Sequence, residues 1–182
     1  SSVTLPSVDS NSITTLADAP TSVNATATGS NSATITFTAP SGTGTITGYT
    51  ATSTPPASLI QSSSGTTITI SSGLASNTVY TFTVTATTSS GTPLPSSADS
   101  NSITTLADAP TSVNATATGA NSATITFTAP SGTGTITNYT ATSTPPASLT
   151  QVLSGNTITI SSGLASNTNY TFKVTAINAG GT

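Results

Sequence analysis

Apolar and polar residues alternate with a period of two in each apolar stretch of the chain. In residues 33–39, alanine, isoleucine or phenylalanine occupies every second position and threonine fills the positions between. Residues 67–71 and 80–86 follow the same pattern. Successive side chains of a strand point to opposite faces, so this alternation predicts half-buried β-strands with a threonine-rich solvent face. A helical period is not found over any useful length.

Glycine and proline interrupt these stretches at short intervals. They lie at Pro20, Gly29, residues 40–44, Pro55, Pro56, Gly65, Gly73 and Gly91. Both residue types favour turns, and their spacing predicts about seven strands in each 90 residues. Many short strands bounded by turns are typical of two antiparallel sheets packed face to face, so we predict an all-β sandwich fold.

The chain also contains a long internal repeat, since residues 9–92 recur as residues 99–182. Twelve of the 84 aligned positions differ, mainly in predicted loops and at strand edges. A spaced repeat of this length indicates an array of small modules. We predict that residues 1–17 are the last strand of a preceding repeat. Residues 18–107 would form module 1, and residues 108–182 would form module 2, which lacks its own last strand.

Charge is scarce, because only 3% of the residues are charged, against about 25% in ordinary soluble proteins. The one cation is Lys173, and the chain has no histidine, cysteine, arginine or glutamate. A basic nucleic-acid groove and a polybasic membrane anchor cannot be built from one lysine. Disulfides and thiolate metal sites are excluded, and no general base or activated nucleophile is available. We therefore predict a protein that is not an enzyme and needs no cofactor or metal.

Five motifs, repeated in order in both copies, resemble those of fibronectin type III domains. In the first copy they are residues 19–23, Phe37, residues 46–49, Leu74 six residues before Tyr80, and residues 80–86. Phe37 stands where that family usually places a buried tryptophan. The Leu74–Tyr80 spacing resembles the family's tyrosine corner, in which the phenol oxygen ties a loop to the next strand. The family's integrin-binding Arg-Gly-Asp loop has no counterpart here, because the chain has no arginine.

The resemblance implies tandem seven-stranded immunoglobulin-like sandwiches and a set of inward-facing core residues. These are Phe37, Tyr49, Leu74, Tyr80, Phe82, Phe127, Tyr139, Leu164, Tyr170 and Phe172. No aromatic side chain would then be left over to stack on a sugar.

The expected last strand of module 1 spans about residues 98–106, and its sequence from 99 to 106 is identical to residues 9–16. Two interpretations follow. Either the chain is a slice of a longer array in which a neighbouring repeat supplies the strand, or residues 9–16 of one chain complete module 2 of another. In the second case Ile13 and Leu16 would be donor residues, and the head-to-tail contact would propagate into a filament.

The function expected from these features is that of a structural repeat, as in a stalk, spacer or filament of a microbial surface or secreted protein. Its partners would be neighbouring copies, in cis or as a homopolymer, without nucleic acid or membrane insertion. An uncharged surface rich in serine and threonine, with one site for trypsin-like cleavage, favours an extracellular or cell-surface location. The alternative is an adhesive or carbohydrate-binding accessory module of a larger extracellular protein.

Two smaller predictions concern individual polar residues. Asn24, Asn114, Asn138 and Asn169 each begin an Asn-x-Thr triplet and are possible glycosylation sites. Asp18 and Asp108 lie at the expected joints between modules. One acid per joint is too few for calcium, which binds six to eight oxygens, so a short junction that directs the chain is the better interpretation.

Overall fold

The computed structural model describes residues 18–42, 45–89 and 91–181, and every regular element in them is a β-strand. The strands of module 1 are β1 (Thr21–Ala27), β2 (Ala33–Thr38), β3 (Ile46–Thr54), β4 (Ile60–Ser64), β5 (Thr67–Ser72), β6 (Val79–Thr88) and β7 (Ile103–Thr104). Those of module 2 are β8 (Thr111–Ala117), β9 (Ala123–Thr128), β10 (Ile136–Thr144), β11 (Thr150–Ser154), β12 (Thr157–Ser162) and β13 (Thr171–Asn178). The predicted all-β fold is confirmed.

Each module consists of two antiparallel sheets. In module 1 one sheet has the order β1-β2-β5-β4 and the other has the order β3-β6-β7. Module 2 repeats the first sheet as β8-β9-β12-β11, whereas the described part of its second sheet has the two strands β10 and β13. Among the described residues, the two modules therefore differ in that a seventh strand pairs with the sixth strand of module 1 and none pairs with the sixth strand of module 2.

The alternation along the chain is what builds the core between the sheets. In β2, Ala33, Ile35 and Phe37 are buried while the threonines between them are exposed or half-buried. Ile35 lies opposite Ile68 of β5 in the ladder, and both are fully buried. Burying a side chain of this size stabilises the fold by about 1.5–3 kcal/mol. In module 2, Ile125 lies opposite Ile158 in the same way.

Tight hairpins fix the register of the four-stranded sheet in both modules. Gly65 and Thr66 join β4 to β5, and Gly155 and Asn156 join β11 to β12. Gly65 has a φ of 56° and Gly155 one of 57°. A positive φ at the first central residue is what a two-residue type II′ turn requires, and glycine adopts it without strain.

The prediction of a last strand over about residues 98–106 of module 1 is wrong for most of that range, because the ladder with β6 covers Ile103–Thr104 alone. Upstream of β7 the buried residues are Leu94, Ser97 and Ser100, which recur every third position up to Ile103. A period of three is that of a polyproline II conformation, not of a strand. Pro93 and Pro95, which cannot donate to a ladder, favour this conformation at its start.

Candidate assembly interface

A tyrosine corner fixes the loop before the sixth strand in both modules. In module 1 the Ala75 N–H donates to the Tyr80 hydroxyl oxygen at 3.0 Å. In module 2 the Ala165 N–H donates to the Tyr170 hydroxyl oxygen, also at 3.0 Å. This bond holds the loop against the strand, so the residues at the loop's tip have a defined position at the end of the sandwich.

The predicted core residues lie inside the modules to different extents. Phe37, Leu74, Tyr80, Phe82, Phe127 and Leu164 are buried, and Tyr49, Tyr139, Tyr170 and Phe172 are half-buried. Phe37 packs on Tyr49 and Phe127 on Tyr139, each with ring centroids 4.6 Å apart. Burial raises the pKa of the Tyr139 phenol above its ordinary value of 10.0.

Residues 94–106, which we call the closing segment, run along β6 and complete module 1. Outside the β6–β7 ladder, four of its backbone N–H groups donate to carbonyl oxygens of residues 78–86: Leu94 to Ala86 (2.8 Å), Ser97 to Val84 (2.9 Å), Ser100 to Phe82 (2.8 Å) and Thr105 to Thr78 (3.0 Å). Hydroxyl oxygens of the segment accept in return: Ser97 from the Val84 N–H (2.8 Å), Ser100 from Phe82 (3.0 Å) and Thr105 from Thr78 (3.0 Å). Because every third residue faces β6, side-chain hydroxyls replace the carbonyls that a regular strand would offer.

The closing segment also bonds to the opposite sheet. The Asn101 side chain accepts from the Ala25 N–H at 2.7 Å and donates to the Ala25 carbonyl oxygen at 3.0 Å. At its end, the Leu106 N–H donates to Gly29 O at 3.1 Å, and the Asn77 N–H donates to Leu106 O at 3.0 Å. The segment therefore ties β1 to β6 and seals the seam between the two sheets.

Module 2 has an open groove of about 470 Å³ at the corresponding seam, lined by β8, the loop after it, the loop before β13 and the start of β13. Its lining includes Ala115, Leu164, Tyr170 and Phe172. Ala115 is exposed, whereas its counterpart Ala25 is 3% exposed. The structure gives the Ala115 N–H and C=O no counterpart of the Asn101 side chain among the residues it describes. The groove thus combines apolar side chains with an edge that can form hydrogen bonds.

The predicted donor residues Ile13 and Leu16 lie outside the described residues. Their identical counterparts in module 1 are Ile103, which is buried, and Leu106, which is half-buried. Sequence reasoning did not single out the polar residues that make most of the contacts, namely Ser97, Ser100, Asn101 and Thr105. A spacing of three residues separates Leu94, Ser97, Ser100 and Ile103. This spacing could have indicated a segment that is not a regular strand, because it does not fit the period of two expected for strands.

The other predicted polar sites are on the surface. Asn24, Asn114, Asn138 and Asn169 are all exposed, and Asn169 lines the open groove. The Asp18 carboxylate accepts a hydrogen bond from the Ser41 hydroxyl at 3.2 Å. Within the described ranges, no three acidic, histidine or cysteine side chains lie close enough together to hold a metal ion. The same ranges hold no helix long and apolar enough to cross a membrane.

Comparison with known proteins gives one family and several distant structures. The family model for the fibronectin type III domain matches residues 18–103 and 108–182. No curated protein sequence matches the chain. Part of the chain (50%) aligns with 21% of a family 28 exopolygalacturonase from Yersinia enterocolitica, at 21% identity and a TM-score of 0.40.

Two further structures are similar over more of the chain. The central fibronectin III array of RIM-binding protein is 19% identical, with 87% of this chain and 62% of that one covered and a TM-score of 0.36. Domains FN1–FN3 of chicken CNTN1 are 17% identical, with coverages of 90% and 62% and a TM-score of 0.38. The chain therefore spans between 21% and 62% of the lengths of these three structures.

Proposed function

The chain belongs to the fibronectin type III family, and we propose that it is a structural repeat unit of an extracellular or cell-surface protein, joined to further repeats through the open groove. Tandem domains of this family are typical of extracellular structural or adhesive modules and are generally not catalytic. One observation supports the finer proposal: the groove of module 2 lies at the seam that the closing segment covers in module 1.

The segment proposed to fill the groove is residues 9–16 of a second copy. These residues are identical to residues 99–106 of the closing segment. The module 1 backbone that receives the segment belongs to Ala25, Thr78 and Phe82. Their module 2 counterparts, Ala115, Thr168 and Phe172, are the same residue types. For the contacts of residues 99–106, donor and acceptor are therefore both duplicated, whereas the contacts of Leu94 and Ser97 with β6 lie outside the donated segment.

Three residues of the donated segment then have specific roles in the groove. By correspondence with module 1, Asn11 would pair with both backbone groups of Ala115, and Ser10 would bond to Phe172. Ile13 would cover Tyr170, because Ile103 lies opposite Tyr80 in the ladder of module 1. Main-chain hydrogen bonds would give such a complex its affinity, and the buried isoleucine would set its register.

The same contact serves repeats linked in cis. In module 1 the groove is closed by the segment that leads directly into module 2, so a longer array would close each groove from the next linker. Donation between chains and continuation within a chain are thus two uses of one interface. In both cases the contact is head to tail, and a head-to-tail contact that does not close on itself makes a rod or filament.

The test is the concentration dependence of self-association of the 182-residue chain, measured by sedimentation velocity and by electron microscopy. We expect end-to-end oligomers that Ile13→Asp abolishes. Ser12→Asp is the matched control, since it adds the same charge at a position whose counterpart, Ser102, is exposed. A chain that remains monomeric at millimolar concentration, or that associates equally well with Ile13→Asp, contradicts the proposal.

A second experiment locates the contact. A peptide with the sequence of residues 9–16, added to the Ile13→Asp chain, should shift the amide resonances of Ala115, Thr168 and Phe172. It should also raise the unfolding temperature of module 2, because a ligand that binds the folded form alone stabilises it. A peptide of the same composition in scrambled order should do neither. Resonance shifts elsewhere on the module would show that association does not use the groove.

A further inference from the structure

The two modules meet at a joint that consists of polar contacts. On the module 1 side the joint uses the loop tip at Asn77 and the end of the closing segment at Thr105. On the module 2 side it uses the loop between β9 and β10 and the loop after β13. Asn77 is 2% exposed and Asn178 is 4% exposed, although both are loop or strand-end residues of the kind usually found in water. The joint is therefore a packed interface rather than a loose tether.

Asn77 is the centre of this interface. Its side-chain amide donates to the Gly134 carbonyl oxygen at 2.7 Å, and its backbone carbonyl accepts from the Gly134 N–H at 2.6 Å. The Asn178 amide donates to the Asn77 Oδ1 at 2.8 Å and to the Thr105 carbonyl oxygen at 2.9 Å. Buried amides with this many hydrogen bonds favour one orientation of the two modules relative to each other, because any other orientation leaves buried polar groups without partners.

Gly180 makes the close approach possible. A Cβ added at this residue would lie 2.2 Å from the Thr104 carbonyl oxygen of module 1, a separation that real side chains do not tolerate. The backbone of Gly180 is not in the left-handed region, so its φ does not require glycine. The shortest contact that a side chain here would make is with the backbone of module 1.

The repeat itself shows which side of the joint varies. Positions 87–90 of the first copy, Thr-Thr-Ser-Ser, correspond to Ile-Asn-Ala-Gly at 177–180, so four of the twelve differences are adjacent. On the receiving side, by contrast, the loop tip is the same in both copies, with Asn167 in the place of Asn77, although the end of module 2 has no counterpart of Thr104 and Thr105 among the described residues. Asn167 also has the same local conformation, with a φ of 52° against 45°. The docking loop thus changes between copies, while the loop tip that it docks on does not.

We propose that residues 178–180 select which repeats stack rigidly on a preceding module. A repeat with the Asn-x-Gly loop of module 2 latches onto the end surface around an asparagine such as Asn77. A repeat with the Thr-x-Ser loop of module 1 does not, because threonine cannot supply the two amide donations and a serine Cβ meets a backbone carbonyl. The loop tip at Asn167, which is exposed, accordingly supplies one half of such a docking site, and a closing segment laid over module 2 would supply the other half.

The experiment compares the orientation of the two modules in the full chain by residual dipolar couplings, with small-angle scattering as a second readout. The wild type is expected to fit one alignment tensor for both modules. The double variant Asn178→Thr and Gly180→Ser, which installs the module 1 residues, should give two different tensors and a broader distribution of interatomic distances. Ala179→Ser, an exposed position between them that also differs between copies, is the matched control and should behave as the wild type.

A second pair of variants tests the receiving surface. Asn77→Gly keeps the positive φ but removes the amide, so it should uncouple the modules, whereas Asn167→Gly should leave their orientation unchanged. Unchanged resonances in the strands of both modules would show that every variant is folded. A double variant or an Asn77→Gly chain that keeps the shared tensor overturns the inference. None of these measurements depends on residues 9–16. A failure of this proposal can therefore be told apart from a failure of the strand-donation proposal.

Discussion

Modules 1 and 2 have nearly the same sequence, the same strand order in one sheet and the same tyrosine corner, yet their cores are covered differently. Tyr80 and Phe82 are 3% and 1% exposed in module 1, while Tyr170 and Phe172 are half-buried in module 2. The residues are identical, so the difference comes from the closing segment that lies over the first pair. The burial of a repeat's core is therefore decided partly by its neighbour, and the sequence repeat and the folded unit do not have the same boundaries.

The largest effect is expected when the same phenylalanine is replaced by alanine in each module. Phe82→Ala should cost module 1 about 3–5 kcal/mol, as is usual for a fully buried phenylalanine. Phe172→Ala should cost module 2 clearly less, because part of its ring already contacts water. Amide hydrogen exchange followed by NMR measures the free energy of opening of each module separately. Equal costs in the two modules would show that the closing segment adds nothing to the burial of Phe82.

A second test opens the groove of module 1 directly. Ile103 is 9% exposed and covers the seam, so Ile103→Ala should destabilise module 1 by about 2–5 kcal/mol and leave the strands of module 2 unchanged. Ser102→Ala changes the exposed neighbour and should remain within about 0.5 kcal/mol of the wild type. Chemical denaturation monitored by NMR would show whether the stability of module 1 falls towards that of module 2. A cost at Ile103 no larger than at Ser102 would contradict the role given to the segment.

Much of the fold could be predicted from local rules. Alternation in residues 33–39 and 80–86 places the strands correctly, and the distance from Leu74 to Tyr80 places the corner, because both depend on a few neighbouring residues. The closing segment could not be predicted as well. Its buried serines look like surface residues in sequence, and they are buried because their hydroxyls bond to the β6 backbone.

The joint was still harder to predict because its contacts join residues 57 to 101 positions apart. Asn77 and Asn178 are ordinary loop residues in the sequence, and neither carries a charge or a known motif. The available signal was the run of four differences at 177–180, which is unusual in copies that are otherwise so similar. Clustered differences between near-identical repeats thus deserve to be tested as contact sites even when they fall in loops.

The tyrosine corner offers a smaller test of the same comparison. Tyr80→Phe leaves the Ala75 N–H without its acceptor in a partly buried site, which should cost about 1–3 kcal/mol. Tyr170→Phe removes the same bond where it is exposed, so water can replace the phenol and the cost should be about 0.5–1 kcal/mol. Thermal unfolding of the two variants, resolved by module, measures the difference. A larger cost at Tyr170 would mean that its groove is covered in solution.

The smallest expected effect concerns pH and module 2. Burial raises the pKa of Tyr139 in the folded state above the ordinary value of 10.0, so the unfolded chain loses this proton first as the pH rises. The stabilisation is complete below about pH 10 and is lost progressively as the pH approaches and passes the folded-state pKa. The free energy of unfolding of module 2, measured from pH 8 to pH 12, should therefore fall above about pH 10.

Tyr139→Phe keeps the ring that packs on Phe127 but removes the titrating group. The difference in stability between wild type and variant isolates Tyr139 from every other group that ionises in alkali, because those groups are common to both chains. This difference should be constant below about pH 9 and change above it in favour of the variant. A difference that stays constant to pH 12 would show that Tyr139 is as solvated in the folded module as in the unfolded chain, and that the packing of Phe127 on Tyr139 excludes little water.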